Sequence, residues 1–384
     1  MLKKILMLLV WLFLCQSPFA ATDGIVGNIT ASSDYTFTNK WYKTKGESIP
    51  FLTAAKNVFK NQKFILYPIV GGYTLDSNSI ARVKYDLKIF RPDSSVYYES
   101  YNVTALDTKI TNPSFIMLAD ELLEVNFEDE DPLGTYQIEV TLKDFNSQNA
   151  GTISIVVNLV EFKRVGGFTT DSVLNEWMQN YYKSLNPEAA LEACLYVAAK
   201  VDKETFFDLS LSFFKELFDH NQFLIPYLED EVFVQSDEAA DYIGTLLALL
   251  NYDHSRFKMR LSLDQVALFE EVEGMKNLFE ITMVNNPTQL DMLWAQFFAG
   301  GSNEPIAKIV SALSLKEYDI PHQDSLKNLS PDEKLLYATY KAAVWSLEAN
   351  AANHELVYNY LNYMLAYEKL PETIKSELKI ILHQ

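Results

Sequence analysis

The sequence predicts a multidomain protein in which an antiparallel β-sandwich precedes an all-α domain, and a change in hydrophobic period near residue 165 carries this prediction. Between Tyr136 and Leu142, apolar residues alternate with polar ones, and a period of two places one face of a strand in a core. Between Val357 and Leu365, apolar residues recur three and four positions apart, which is the period of an amphipathic helix.

Eight short segments upstream of residue 165 have the composition of strands. These candidate strands cover residues 34–42, 63–70, 82–91, 95–102, 114–119, 122–128, 134–144 and 151–161. Turn signals such as Gly71-Gly72 and Asn112-Pro113 separate them. Short strands at this spacing, with no helical pattern between them, are typical of an antiparallel sandwich.

The segment from Asp131 to Ile138 resembles the tyrosine corner of immunoglobulin-like domains. In those domains a tyrosine begins one strand two residues before a core position, and Tyr136 and Ile138 have that spacing here. The resemblance implies an immunoglobulin-like fold for the predicted domain at residues 22–164. It also implies a structural hydrogen bond from the Tyr136 hydroxyl to the backbone of the preceding loop.

Residues 168–384 form the predicted helical domain, which follows a joint at Gly166-Gly167. Asn286-Pro287 and Ser330-Pro331 each place a capping side chain before a proline at the first helical position. Gly300-Gly301 is a predicted helix stop. Many helices with short links favour stacked helical hairpins over a single closed bundle.

Two phrases in the helical part resemble segments of uncharacterised exported bacterial proteins. They are LDMLWAQFFAGG at residues 290–301 and AAVWSLEANAANH at residues 342–354. The resemblance is confined to these phrases and brings no activity with it.

Residues 1–21 have the features of an export signal. Lys3-Lys4 precedes an apolar run from Ile5 to Leu14, and small residues follow at Ala20-Ala21. This run is too short to span a bilayer, which needs about 20 residues. We expect cleavage near residue 21. Lipid attachment at Cys15 is the alternative, and it is disfavoured because the bulky Leu14 precedes that cysteine.

The net charge of the chain limits the kinds of partner that we expect, and its cysteine content limits the expected cellular compartment. The chain has 32 basic and 51 acidic residues, a formal net charge of −19, and such acidity repels the phosphates of nucleic acids and anionic lipids. Cleavage would leave Cys194 as the single thiol, so no intrachain disulfide could form. The lack of disulfides in an exported chain favours a protein of the bacterial cell envelope, and we expect it to be either periplasmic or secreted. Cys194 lies in an apolar helical context, for which we expect an inert buried thiol.

The common catalytic motifs are missing from the chain. There is no Gly-x-Ser-x-Gly elbow, no His-Glu-x-x-His, no Walker loop and no dinucleotide fingerprint. The five histidines are scattered, with no pair three or four positions apart, so a zinc site would have to be assembled from distant segments. The sequence therefore predicts no catalytic and no cofactor-binding residue.

One acidic turn is a candidate calcium site. It consists of Glu128, Asp129, Glu130 and Asp131, and calcium takes carboxylate and carbonyl oxygens. The alternative is a solvated acidic turn, which the sequence favours because the spacing matches no fixed calcium loop.

Two further groups of side chains have a functional and a structural interpretation. Asp253, His254 and Ser255 have the residue types of a catalytic triad, but adjacent residues seldom converge on one reacting atom, so we expect a capping or inter-helix loop. Trp294, Phe297 and Phe298 are the candidate partner-binding residues of an aromatic groove. Core packing is their alternative role, because they recur at helical spacing.

The function that these observations favour is non-enzymatic. We expect a binding or scaffolding protein of the bacterial cell envelope, in which the helical domain presents a surface to a protein or peptide partner. The alternative is an envelope hydrolase that acts on peptide or glycan through dispersed acidic residues in a cleft of the helical domain. Paired carboxylates about 5–9 Å apart would mark such an enzyme.

Overall fold

A computed structural model describes residues 24–44, 50–112, 115–200, 207–319 and 329–383. The contacts divide the chain into two compact units. The first contains the described residues up to Tyr35 together with Thr53–Phe162, and the second contains the described residues of Thr36–Leu52 and those from Lys163 onward. The predicted export signal, with Cys15, lies outside the described residues.

The first unit is built from two β-sheets. Its described strands are β1 (Val26–Ser32), β2 (Asn57–Val58), β3 (Lys63–Gly71), β4 (Ile80–Phe90), β5 (Val96–Lys109), β6 (Met117–Leu118), β7 (Leu123–Asn126), β8 (Gly134–Asp144) and β9 (Ala150–Leu159). One sheet has the order β1-β3-β6, with β7 also paired to β3, and the other has the order β2-β9-β8-β4-β5. The pairings are antiparallel except that β2 runs parallel to β9.

The buried side chains of both sheets form one hydrophobic cluster. The alternation predicted for residues 134–144 is confirmed in β8, where Tyr136, Ile138, Val140 and Leu142 are buried. The residues between them are exposed or half-buried. One face of this strand therefore contributes to the core, as a period of two requires.

The predicted tyrosine corner is present in the first unit. The Tyr136 hydroxyl donates a hydrogen bond to the backbone carbonyl of Pro132, with 3.0 Å between the oxygens. The Tyr136 ring lies 4.2 Å from the ring of Phe127 and 5.7 Å from the ring of Tyr97, measured between centroids. The corner thus fixes the loop before β8 onto a packed aromatic cluster.

The predicted strand at residues 34–42 is wrong, because this segment forms a helix, α1 (Phe37–Lys43). Phe37 and Lys40, three positions apart, are its buried side chains, and that spacing matches one face of a helix. The hydroxyl of Thr36 donates to the carbonyl of Gly300 at 2.9 Å. These contacts with helical residues place α1 in the second unit.

Strand β1 was missed by the sequence analysis. Three of its buried residues, Gly27, Ala31 and Ser32, are small or polar, so its alternation carries almost no hydrophobic signal. The lack of a side chain at Gly27 has a packing reason, since a Cβ there would lie 2.4 Å from Leu142 Cδ1. Small residues allow β1 to approach its neighbours closely.

The second unit contains all thirteen α-helices of the described residues. After α1 they are α2 (Asp171–Ser184), α3 (Ala190–Ala198), α4 (Phe207–His220), α5 (Ile225–Glu231), α6 (Asp237–Leu249), α7 (Ser255–Lys258), α8 (Leu263–Glu273), α9 (Pro287–Gly300), α10 (Asn303–Ser311), α11 (Pro331–Asn353), α12 (Glu355–Tyr367) and α13 (Glu372–Ile381). The buried side chains of α9 to α13 belong to one hydrophobic cluster. Helices thus follow strands along the chain, as the change of period predicted.

Several predicted helix ends are confirmed. The side chain of Asn286 accepts a hydrogen bond from the backbone N–H of Gln289 at the start of α9. Ser330 and Glu333 form a complete capping box at the start of α11, which satisfies backbone N–H groups that the helix leaves unpaired. Gly301 ends α9 in the left-handed conformation, with φ at 73°, which favours glycine.

Candidate functional site

A pocket of about 590 Å³ in the helical unit is the candidate functional site. Helices α6 and α8 provide most of its wall. The start of α4, the segment after α5, helix α7 and the link from α7 to α8 provide the rest. This volume lies within the range of about 300–1,000 Å³ that is typical of binding pockets. Every residue of the wall belongs to the helical unit.

The wall of the pocket is mainly apolar. Its apolar side chains include Val232, Phe233, Phe257, Leu268, Phe269 and Val272. Two of them are also open to solvent, since Phe233 is 44% exposed and Leu268 is 59% exposed. An apolar pocket that is solvated in the free protein favours binding of an apolar ligand, because the free energy falls when the ligand removes the apolar surface from water.

Helix α8 is anchored weakly compared with its neighbours. A capping box between Ser262 and Gln265 starts the helix, but Phe269 is its one buried side chain. Leu263, at the beginning of α8, is 89% exposed. One wall of the pocket is therefore a helix whose apolar residues are mostly unburied.

The polar part of the wall is acidic or neutral. Asp237 and Asp241 provide carboxylates, and the neutral polar side chains are Gln235, Tyr242, Thr245 and Gln265. Tyr242 has a structural role, because its hydroxyl donates to the hydroxyl of Ser210 at 3.0 Å and burial raises its pKa well above the ordinary value. The wall contains no lysine, arginine or histidine.

Gly244, in the middle of α6, leaves part of the wall open. A Cβ built at this position would meet no atom within 4 Å. Glycine inside a helix lowers stability by about 0.5–1 kcal/mol relative to alanine. No neighbouring atom is close enough to exclude a larger residue than glycine at this position. The glycine therefore widens the pocket at a cost to the stability of α6.

A buried histidine lies behind two aromatic residues of the pocket. The ring centroid of His254 is 6.3 Å from that of Phe257 and 5.4 Å from that of Phe269. Its Nδ1 atom is 2.8 Å from Oε1 of Glu229, whereas its Nε2 atom is buried with no hydrogen-bond partner among the described residues. The Glu229–His254 pair supports the aromatic wall from inside the unit.

The loop at Asp253, His254 and Ser255 links α6 to α7, which is the inter-helix role that we expected as one of two. Asp253 Oδ1 accepts a hydrogen bond from the backbone N–H of Ser255 at 3.0 Å, and the hydrogen bonds from Ser255 lower the pKa of Asp253. The imidazole of His254 pairs with Glu229 and not with either neighbour in the chain. The three side chains therefore do not form a nucleophile, base and orienting acid.

Two of the four candidate calcium ligands, Asp129 and Asp131, are held by other contacts. Asp131 Oδ2 accepts hydrogen bonds from the Tyr97 hydroxyl at 2.9 Å and from the backbone N–H of Glu128 at 2.8 Å. Asp129 Oδ1 accepts one from the side-chain amide of Asn61 at 3.0 Å, and Glu130 completes the acidic turn between β7 and β8. Across the described ranges, no three His, Cys, Asp or Glu side chains are grouped as metal ligands. The geometry thus gives the calcium hypothesis no support.

The candidate aromatic groove belongs to the interior of the helical unit. Trp294 is 5% exposed and Phe297 is fully buried, both within the cluster of α9 to α13. Phe298 is half-buried against the same cluster, and its ring is stacked on that of Trp294 with 6.0 Å between centroids. Because these side chains hold the helices together, they do not provide the surface that the sequence analysis assigned to them.

Two other buried side chains, Cys194 and His354, also have structural surroundings. Cys194 is fully buried, as expected, and burial raises the pKa of its thiol. His354, between α11 and α12, lies with its Nδ1 atom 3.0 Å from the Tyr182 hydroxyl. Burial, assisted by the charge of Lys183, lowers the pKa of His354 to about 4. No helix in the part of the chain that the structure describes is long and apolar enough to cross a membrane.

The comparisons with known proteins assign no family. No protein-family model matches the chain, and no curated protein matches it. Solved structures that align with part of it include a family 123 glycoside hydrolase from Clostridium perfringens, at 8% identity over 35% of this chain and a TM-score of 0.22. The chain spans 27% of that hydrolase.

Two other structural matches are similarly distant. A Niemann-Pick type C2 protein from the Japanese carpenter ant aligns at 8% identity, over 38% of this chain and 96% of that protein, with a TM-score of 0.22. A CARDB domain from Pyrococcus furiosus, solved with di-metal ions, aligns at 13% identity, over 35% of this chain and 89% of that domain, with a TM-score of 0.17. At these TM-scores the matches carry no argument about fold or function.

The pocket itself was missed by the sequence analysis. Its wall combines separate segments between residues 207 and 272, and such a set has no signature in the sequence. One local signal was available, because Val232-Phe233-Val234 is an apolar run between acidic segments. A run of this kind at a helix end is unusual on a solvated surface.

Proposed function

We propose that this protein is a non-enzymatic binding or scaffolding protein of the bacterial cell envelope, and that its helical domain binds a protein or peptide partner in the pocket between α6 and α8. The observation that carries the proposal is the composition of the wall: aromatic and aliphatic side chains with two carboxylates and no basic residue. Partly exposed apolar pockets of this size are typical of recognition sites.

Charge defines the chemistry of the partner further. Asp237 is the first residue of α6 and lines the pocket, and the protein as a whole has a formal net charge of −19. Two basic residues of the adjacent segment are paired with acids: Arg260 lies 2.8 Å from Asp230, and Lys258 lies 2.8 Å from Glu273. A segment with an apolar anchor and flanking lysine or arginine residues is therefore the complementary partner.

The remaining parts of the proposal concern architecture and location. The two sheets would form an immunoglobulin-like sandwich that acts as a spacer or docking module, which the corner at Tyr136 supports. The helices would stack as hairpins. Export to the periplasm or the medium rests on the predicted signal at residues 1–21, and the acidic, disulfide-free composition is compatible with it.

A binding titration with designed peptides tests the proposal. The probe is a fluorescein-labelled amphipathic peptide of leucine and lysine, and the comparison peptide has glutamate in place of lysine. We expect the lysine peptide to bind with a micromolar Kd and the glutamate peptide to bind at least tenfold more weakly, because like charges face each other in the second complex.

Two matched glycine variants test whether the peptide binds in the pocket. Gly244→Leu places a side chain in the open space of the pocket, and Gly167→Leu adds the same side chain at a position that also has no atom within 4 Å of a built Cβ. Gly244→Leu should weaken binding of the lysine peptide at least tenfold, whereas Gly167→Leu should leave it unchanged. Equal affinity in both variants, or a preference for the glutamate peptide, would refute the proposed site.

A hydrolase is the second candidate, and one observation favours it. Asp237 and Asp241 lie one helical turn apart in the pocket wall, and side chains spaced in this way are neighbours on a helix. Turnover on a panel of peptide and glycan substrates that is lost in Asp237→Asn and Asp241→Asn would support this candidate. Turnover that survives both substitutions would exclude these carboxylates as the catalytic pair.

A further inference from the structure

Helix α11, the longest helix among the described residues, has exposed apolar side chains outside the face that packs into the core of the helical unit. Its core side contributes Tyr340, Ala343 and Leu347 to the buried cluster. On the other side, Trp345 is 72% exposed and Leu335 is 45% exposed. Burial of either side chain lowers the free energy, and tryptophan is enriched at protein–protein interfaces.

The residues of this face follow a strict repeat. They are Leu335, Ala338, Ala342, Trp345, Ala349 and Ala352, each either exposed or half-buried; the half-buried Ala342 also contacts the edge of the core cluster. The steps between them alternate between three and four residues, which is the spacing of the seam of a two-helix coiled coil. We call this set the α11 seam.

From this pattern we infer that two copies of the protein pair through their α11 seams in antiparallel orientation, an interaction that goes beyond the proposed function. A two-fold axis between residues 343 and 344 brings Trp345 of each copy opposite Ala342 of the other. The same axis brings Leu335 opposite Ala352. Every large residue of the seam then faces a small one, so the two surfaces interlock as isologous interfaces require.

The charges beside the seam fit the same axis. Lys341 and Glu348 flank the seam seven residues apart, at the coiled-coil position that faces its own equivalent in an antiparallel pair. Each lysine therefore meets the glutamate of the other copy. Lys341 also lies 3.0 Å from Asp319 of its own chain and remains 51% exposed, so its ammonium can contact both carboxylates.

A parallel pair fits less well. It would place Trp345 against Trp345 of the second copy and alanine against alanine, which leaves gaps beside the tryptophans. Lys341 and Glu348 would then face Ser346 and Asn353, with no opposite charges across the interface. The antiparallel arrangement is the one in which both size and charge are complementary.

The association should be weak and dependent on salt. One pair of helices buries less than the roughly 1,600 Å² of a standard interface, and two acidic chains repel each other over a distance of about a Debye length, 8 Å at physiological ionic strength. We therefore expect a Kd in the range of tens to hundreds of micromolar, with tighter association as the salt concentration rises from 50 to 300 mM.

Sedimentation equilibrium on the full-length protein between 5 and 500 μM tests this inference. Trp345→Gln should weaken dimerisation at least tenfold. The control is Tyr367→Gln, which alters an aromatic residue of α12 that is 63% exposed and should leave the Kd unchanged. Because all these positions are exposed, circular dichroism should show unchanged folding in each variant.

Charge exchange tests the antiparallel orientation. Glu348→Lys alone should weaken the dimer, and the Lys341→Glu/Glu348→Lys double variant should restore at least half of the lost affinity. A protein that stays monomeric at 500 μM in 300 mM salt would overturn the inference. So would a dimer that tolerates Trp345→Gln, or a double variant that associates no better than Glu348→Lys.

Discussion

Glu229 and His254 form a pair in the interior of the helical unit, with 2.8 Å between Oε1 and Nδ1. The side chain of His254 is 1% exposed and that of Glu229 is 10% exposed. The imidazole also packs against Phe257 and Phe269, two aromatic residues of the pocket wall. The stability of the unit and the shape of its pocket are thus linked through one pair of side chains.

We predict that His254→Ala destabilises the helical unit by about 3 kcal/mol or more, because it leaves the Glu229 carboxylate buried without its partner. The control is His220→Ala, which breaks a contact of 3.2 Å with Glu216 between side chains that are about one-third exposed. That control should change the free energy of unfolding by less than about 1 kcal/mol. Urea denaturation measures both, and similar losses in the two variants would contradict a structural role for the buried pair.

We predict opposite effects for alanine at two glycines. Gly244→Ala should raise the free energy of unfolding by about 0.5–1 kcal/mol, because alanine is the better helix former and the added Cβ meets no atom. Gly301→Ala should lower it by about 1 kcal/mol or more, since this residue has φ at 73° and a Cβ would lie 2.9 Å from Lys40 Cε. Thermal and urea unfolding give both signs, and a destabilised Gly244→Ala would show that the space beside α6 is filled.

We predict that Tyr136→Phe destabilises the β unit by about 1 kcal/mol, the net contribution of one hydrogen bond. The bond lost is the one to the carbonyl of Pro132. Tyr101→Phe is the control, because Tyr101 is 51% exposed and its hydroxyl donates to the exposed Glu99. An unchanged melting temperature of the β unit in Tyr136→Phe would show that the hydrogen bond from Tyr136 to Pro132 does not stabilise this unit.

We predict a pH dependence that comes from His354. Burial lowers the pKa of His354 to about 4 in the folded protein, whereas an unfolded histidine titrates near 6.5. Between these values the unfolded state binds more protons, so stability falls as the pH drops from about 6.5 to 4 and is insensitive to this group above that window. At 1.36 kcal/mol per pKa unit, the full loss is about 3 kcal/mol.

The measurement compares the wild type with His354→Gln by urea denaturation at pH 7, 5.5 and 4. Carboxylates titrate in both proteins, so the difference between them isolates the histidine. The wild type should lose more stability than the variant on acidification. Parallel pH profiles would show that His354 is protonated freely in the folded state.

The elements that could be predicted from the sequence are those in which the buried positions are occupied by large apolar side chains. Strand β8 has large apolar residues on one face, so its bounds were predicted to the residue. Strand β1 has Gly27 and Ala31 on its buried face, and close packing of small residues leaves no hydrophobic pattern. Helix α1 was predicted as a strand because its short apolar alternation is ambiguous until contacts such as Thr36 to Gly300 decide it.

The candidate site could not be predicted in the same way. Trp294 and Phe297 were chosen for their aromatic character, and that character serves the core. The pocket depends instead on Gly244, whose contribution is empty space, and on Phe233 and Leu268, which become neighbours only when separate segments pack. Residue type indicates chemistry, but a concave surface arises from tertiary structure.

Hydrogen–deuterium exchange can show whether the pocket between α6 and α8 binds a segment that is apolar and positively charged. The exchange of backbone amides is measured with and without a saturating concentration of the leucine–lysine peptide. We expect the peptide to slow the exchange of residues 232–249 and 257–273 in the wild type, and to leave the exchange of these segments unchanged in Gly244→Leu. Protection confined to other segments, or equal protection in the Gly244→Leu variant, would contradict it.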